Sequence, residues 1–315
     1  MEEQILRYYL SLFSILLVII YIIFLTNINK FNDFDKIIKI KKGESVSSIS
    51  KTLFKEHNFI NYQIYFLSLN FINKFYSPIN YGQFFIIEKT NFIDLIKIIT
   101  KKSNINHKIT IVEGWQTYQF NNYISDFYKS DIEIKYDNLL ADTYIINSSN
   151  SMISFKNFLN EKLEIFFENY KQNDLLNKYG IKNILIISSL VEKEAKNNSD
   201  KGLISSVIFN RLNKNMKLQI DASVIFSITE GLRKFDTKLT LNDLKIKHPY
   251  NTYYIKGLPP DMICYVGPET VKFVLESPKS DFLFYFYNIL EKKHIFSKNY
   301  NEHKKKLNEY RKKTK

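Results

Sequence analysis

Three kinds of hydrophobic pattern succeed one another along the chain. From Tyr8 to Asn29 there is no charged residue, and Tyr8 to Leu25 (YYLSLFSILLVIIYIIFL) is almost wholly apolar. About 20 residues at a 1.5 Å rise cross a hydrocarbon core of roughly 30 Å, so this run predicts a membrane-spanning helix. A cleaved leader would have an apolar region of only about 7–15 residues ending at an Ala-x-Ala-like site. No such site follows the run, and a permanent N-terminal anchor is expected.

The second pattern is short and mixed. Ile37 onward alternates briefly, Gly43 breaks the run, and Val46, Ile49, Leu53 and Phe54 recur at helical spacing after Ser45. A second helical segment, a strand at Tyr81 to Ile87 and a helix at Phe92 to Ile99 follow. Strand, helices and strand within about fifty residues resemble the peptidoglycan-binding module known as LysM; a small α+β spacer fits the pattern equally well.

The third pattern mixes strands with long helices. Lys108 to Val112 and Phe282 to Tyr287 read as strands, Met216 to Asp221 (MKLQID) alternates like one, and Phe155 to Tyr170, Asn183 to Lys196, Val207 to Leu212 and Val224 to Ile228 read as helices, with Asp221-Ala222-Ser223 opening the last as an N-cap. The expected class is therefore α+β. The expected division is a tail and transmembrane anchor over residues 1–29, a LysM-like module over 30–107, and a mixed α/β domain with a basic tail over 108–315.

Composition refines this picture in three ways. The hydrophobic fraction of 45% and aromatic fraction of 16% exclude a disordered chain. A net charge of +13 points toward an acidic partner, but the lysines are spread throughout without the aromatic interleaving of a nucleic-acid groove, so no nucleic-acid partner is expected. Cys264 is the single cysteine, which rules out an intramolecular disulfide and reads as a small core residue. The five histidines show no metal-ligand spacing, and neither a metal nor another cofactor is expected.

The helix from Asn183 carries two candidate acids. On a wheel of about 100° per residue, Glu194 falls among Ile187, Leu190 and Val191, and Glu192 beside Ser188, Ser189 and Ala195. The wheel thus sets Glu194 toward packing and leaves Glu192 room for a ligand, and burial could raise the pKa of either. The carboxylates point to different faces and do not form an acid and base pair. Glu113-Gly114-Trp115 holds the only tryptophan, and Leu140 to Tyr144 (LADTY) is another polar and aromatic cluster.

VEGW at Val112 to Trp115, DTY at Asp142 to Tyr144, LVEKEA at Leu190 to Ala195, FNRL at Phe209 to Leu212 and LQIDAS at Leu218 to Ser223 occur in order. PYNTY at Pro249 to Tyr253, GLPP at Gly257 to Pro260, and HIF at His294 to Phe296 with Glu302-His303 complete the set. Together they resemble the endolytic murein transglycosylase family, also called YceG-like, from the anchor to about residue 310. Ala141, His248 and Tyr265-Val266-Gly267 depart from the family's usual residues without removing a candidate acid.

The resemblance implies cleavage of the MurNAc-GlcNAc β-1,4 bond of nascent peptidoglycan without water, leaving a 1,6-anhydro end and helping to terminate strand elongation. It implies Glu192 as the catalytic residue, acting as acid and then base. Gln219, Asp221, Asn251 and Tyr253 would bind or orient the glycan, and Glu194 would support them. The implied partners are glycan strands and peptidoglycan synthases in the membrane. The implied location is the bacterial cytoplasmic membrane, single-pass through Tyr8 to Leu25, with the catalytic domain outside. This overrides the lysines at 30, 36, 39, 41 and 42, which a simple positive-inside count would keep in the cytoplasm. A non-catalytic peptidoglycan-binding protein and a lysozyme-type hydrolase are the alternatives.

Overall fold

The computed structural model describes residues 2–27, 35–128 and 134–314. Helix α1 (Glu2–Asn27) contains the uncharged run, and its large apolar side chains from Leu6 to Tyr21 are exposed. Among the described residues, no helix is long and apolar enough to cross a membrane. The anchor expected at Tyr8 to Leu25 thus rests on the sequence alone, and the end of the uncharged stretch, with Lys30, lies outside the described residues.

The rest divides into two units. The first comprises Met1–Ile109 and Ile145–Asn150, the second Thr110–Tyr144 and Ser151–Lys315. In the first, β1 (Lys36–Ile40) and β2 (Gly82–Ile86) pair antiparallel, with Ile38 opposite Phe84. Their period-two alternation buries Ile38, Ile40, Phe84 and Ile86. Between them run α2 (Val46–Phe54) and α3 (Phe59–Phe75), and α4 (Phe92–Ile99) follows. Ser45, Asn58 and Asn91 cap these helices, each side chain accepting an N–H from the first turn. Phe54, Tyr65 and Phe92 stack at centroid spacings of 4.9 Å to form the centre of this core.

The chain leaves the first unit within β3 (Asn106–Thr110) and comes back within β4 (Thr143–Asn147). A single cut after residue 107 does not anticipate this return. It is held by side chains: Asn147 donates to the Ser103 carbonyl at 2.6 Å, and Ser148 Oγ accepts from the Gln83 N–H at 2.9 Å. The DTY cluster opens strand β4.

The second unit is mainly helical: α5 (Thr117–Ile124), α6 (Met152–Glu168), α7 (Asp174–Glu194), α8 (Asn198–Asn213), α9 (Asp221–Thr229), α10 (Pro268–Leu275) and α11 (Tyr300–Lys313). A hairpin of β5 (Phe284–Asn288) and β6 (Lys293–Ser297) precedes the last helix. The span of α7 is two helices joined across Gly180 (φ 76°, ψ 162°), whose backbone is not helical. The helix that carries the glutamates thus begins just after it, close to the expected Asn183. Ile184 to Val191 are all buried, as a run apolar on every side requires. Met262 to Val266 pass against this helix: the Ile263 N–H donates to Ser189 Oγ at 3.1 Å, and Cys264 is wholly buried with its Sγ 3.5 Å from the Ser189 carbonyl.

The strand expected at Met216 to Asp221 does not form. Gln219 adopts φ 52°, which breaks the alternation. The segment instead becomes an arm bound to the Thr252 loop, through Gln219 N–H to the Thr252 carbonyl at 3.2 Å and Ile220 N–H to Thr252 Oγ1 at 2.9 Å. Nor is Asp221 the N-cap of α9. Ile220 holds that position, and Asp221 is the first helical residue.

Candidate active site

Helix α7 ends at Glu194, with Ala195 already extended (φ −65°, ψ 132°). The end of this helix lies between two cavities of about 550 and 440 Å³ in the second unit, which share Lys193, Lys196, Ala222 and Ile225. The first is lined by Glu113, Trp115, Tyr118, Glu192 and Phe235, among others. Glu194, Gln219, Asp221, Tyr253, Tyr285 and His294 line the second. Together they make a groove with rings on its walls and carboxylates on its floor.

The two glutamates of the Glu-Lys-Glu run have different surroundings. The side chain of Glu192 is 8% exposed, and both its oxygens are engaged: the Lys201 ammonium of α8 lies 3.3 Å from Oε1, and the Thr270 hydroxyl of α10 donates to Oε2. Lys201 also donates to Thr270 at 2.6 Å, and its own side chain is 6% exposed. This triad borders the first cavity. Helices α8 and α10 pack against α7 and supply both partners of Glu192, which a wheel of the helix's own residues does not include.

Glu194 meets the opposite conditions. Burial and the nearby Asp221 carboxylate raise its pKa from an ordinary 4.5 to about 7, against weaker opposing effects of the Tyr285 hydroxyl, Lys196 and the Ala222 amide. A carboxylate at a helix C-terminus also faces the negative end of the helix dipole, which favours the neutral form. Tyr285 donates to its Oε2 at a long 3.4 Å, and burial beside that carboxyl pushes the phenol of Tyr285 well above its usual value. Glu194 is thus a half-buried acid able to hold a proton near neutral pH and facing open space.

Of the other expected residues, the structure brings three to this acid. Tyr253 donates to Asp221 Oδ1 at 2.7 Å, and its phenol is raised by burial and by Asp221. Gln219 projects from the strained arm into the same cavity. Asn251 is the exception: it is 0% exposed, donates to the carbonyls of Leu244 (3.1 Å) and Ile246 (2.8 Å), and accepts from Tyr253 N–H at 2.9 Å. With every polar atom spent on its own loop, Asn251 orients Tyr253 and does not reach a ligand.

Sequence reasoning assigned no role to several residues that build this site. Arg211, in the FNRL motif, donates to the carbonyls of Leu283 and Leu218 at 2.7 Å each, tying the hairpin to the Gln219 arm. Glu113 packs against Gly267, where an added Cβ would lie 1.7 Å from its Oε1, and its carboxyl is raised by partial burial and by Glu192. Lys201 and Thr270 carried no recognisable spacing, since they come from two helices. Tyr285 sat within a run read only as a buried strand.

Comparison with known proteins finds relatives of this chain. An endolytic murein transglycosylase of Bacillus subtilis (strain 168) is 34% identical over 145 residues, covering 46% of this chain and 39% of that protein. One from Streptococcus pneumoniae (strain ATCC BAA-255 / R6) is 27% identical over 179 residues, covering 55% of this chain and 31% of that protein. The aligned part thus spans well under half the length of these curated relatives. A crystal structure of a YceG-like protein from Listeria monocytogenes superposes with a TM-score of 0.54 at 25% identity, covering 87% of this chain and 99% of that one. The model of the YceG-like family matches residues 38–309, most of the sequence, and the chain belongs to the YceG-like family.

Proposed function

We propose that the second unit is an endolytic lytic transglycosylase of peptidoglycan, and that Glu194, not Glu192, is its acid. The observation that carries this reading is the carboxyl of Glu194, raised to about 7 and lining a cavity walled by Tyr253, Tyr285 and Tyr287. The names of the two curated relatives supply the substrate class.

In this mechanism the protonated Glu194 donates to the glycosidic oxygen as the C1–O bond breaks. The sugar's C6 hydroxyl then bonds to C1, and its proton passes to the Glu194 carboxylate, which restores the acid. No water is consumed and no second carboxylate is required, unlike the usual two-carboxylate arrangement. Burial and, after it, the Asp221 charge favour the protonated acid, while Tyr253 and Gln219 face the sugar.

The test is digestion of purified peptidoglycan by the full chain in detergent, with products read by mass spectrometry. Ends carrying 1,6-anhydro-MurNAc are expected. Reducing ends would indicate a lysozyme-type hydrolase, and binding without cleavage would indicate a scaffold. Because the acid must enter the reaction protonated, the rate is expected to fall as pH rises through about 7. A rate that keeps increasing from pH 6 to 9 would remove Glu194 from the role.

The proposal extends to place. Residues 8–25 would anchor the chain in the cytoplasmic membrane with both units outside, where strand cleavage would end elongation beside the synthases. Its support is the uncharged run from Tyr8 to Asn29 and the exposed apolar side chains of α1. The strand–helix–helix–strand order of the first unit supports a glycan-holding module.

A further inference from the structure

One polar atom in the second cavity is used neither by the fold nor by the proposed reaction. Strand β6 sets the imidazole of His294 against Tyr285 and Tyr287 of β5, with ring centroids 5.5 and 5.1 Å away. The residue is 6% exposed. Asp200, in the first turn of α8, grips it twice: Oδ2 accepts the His294 backbone N–H at 2.9 Å and lies 2.8 Å from Nδ1.

With Nδ1 donating to the Asp200 carboxylate, Nε2 is the ring nitrogen left to accept. Among the described residues Nε2 has no protein partner, and His294 lines the cavity that also contains Glu194. A ring nitrogen at the lining of a cavity is placed to meet a donor from outside the protein. The rings of Tyr285 and Tyr287 and the double grip of Asp200 hold the lone pair in one direction. Tyr285 also reaches Glu194 through its hydroxyl, so one side chain touches both the acid and the imidazole.

We propose that His294 positions the glycan, its Nε2 accepting a hydrogen bond from a hydroxyl or amide N–H of the sugar seated beside Glu194, with Asp200 fixing the tautomer. N-acetylated sugars offer both kinds of donor. The inference rests on the glycan-cleaving reading of the groove, and the experiments below separate the two.

His294→Ala, His294→Asn and His294→Gln are compared in the full chain on purified glycan strands. A glutamine carbonyl reaches the place of Nε2, an asparagine carbonyl only that of Nδ1, and all three lose the ring. The alanine and asparagine variants are expected to raise KM about tenfold, the equivalent of one lost hydrogen bond of about 1.4 kcal/mol, with kcat changed much less. The glutamine variant is expected to recover most of that loss. Equal KM for all three, or KM unchanged in the alanine variant, overturns the proposal.

A second measurement needs no His294 variant. Nitrogen-15 histidine spectra of Glu194→Gln, with uncleaved strands added, are expected to shift the Nε2 resonance of His294; an unmoved resonance overturns the proposal. Absence of cleavage by the wild type together with a shifted Nε2 would refute the enzymatic reading alone.

Discussion

Glu194→Gln is expected to lower the release of anhydro ends by about 10³-fold or more, because acid and base contributions are each typically worth about 10²–10⁴ and here one carboxyl supplies both. Glu192→Gln is expected to stay within about tenfold of wild type per folded molecule, since its carboxyl is spent on Lys201 and Thr270. Parallel assays on peptidoglycan decide between them. A folded, inactive Glu192→Gln beside an active Glu194→Gln would return the role to Glu192. Stability adds an independent check. Glu194 binds its proton more tightly in the native state, so its contribution turns unfavourable as pH rises from 4.5 to about 7 and is fully unfavourable above that. At pH 8 the neutral glutamine is therefore expected to unfold later, by as much as about 3 kcal/mol for that shift.

The second large effect concerns the buried ion pair. Lys201→Met is expected to destabilise the second unit by about 3–5 kcal/mol, because it leaves the largely buried Glu192 carboxylate without its charged partner. Urea unfolding followed by fluorescence reads this directly. Lys201→Met combined with Glu192→Gln is expected to recover a large part of the loss, as removing both charges leaves none uncompensated. A double variant as unstable as the single one would show that Lys201 acts through packing of its stem rather than through its charge.

Much of the fold was visible in the pattern of side chains because it is locally encoded. Ser45 and the spacing of Ile49, Leu53 and Phe54 fix α2, and the unbroken apolar run from Ile184 to Val191 marks a central helix. The helix expected from Asn183 is the part of α7 that follows the non-helical Gly180. The site was less legible. Motif order located the Glu-Lys-Glu run and the Gln219, Asp221 and Tyr253 cluster, but which glutamate is free depends on Lys201 and Thr270, which arrive from α8 and α10. The spent state of Asn251 depends on the carbonyls of Leu244 and Ile246, and a carbonyl's direction has no sequence signature. Tyr285 and the Asp200–His294 pair likewise come together only through packing of the hairpin on α7 and α8.

The burial of Cys264 gives the chain a chemically silent background. Its thiol is 0% exposed, burial pushes its pKa up, and no other cysteine is present. Thiolates rather than thiols react, so maleimide reagents should leave the folded wild type unmarked. A single cysteine placed on the exposed face of α11, such as Lys312→Cys, would become the sole reactive handle. The protein can thus be labelled at one chosen position without first being stripped of a native thiol.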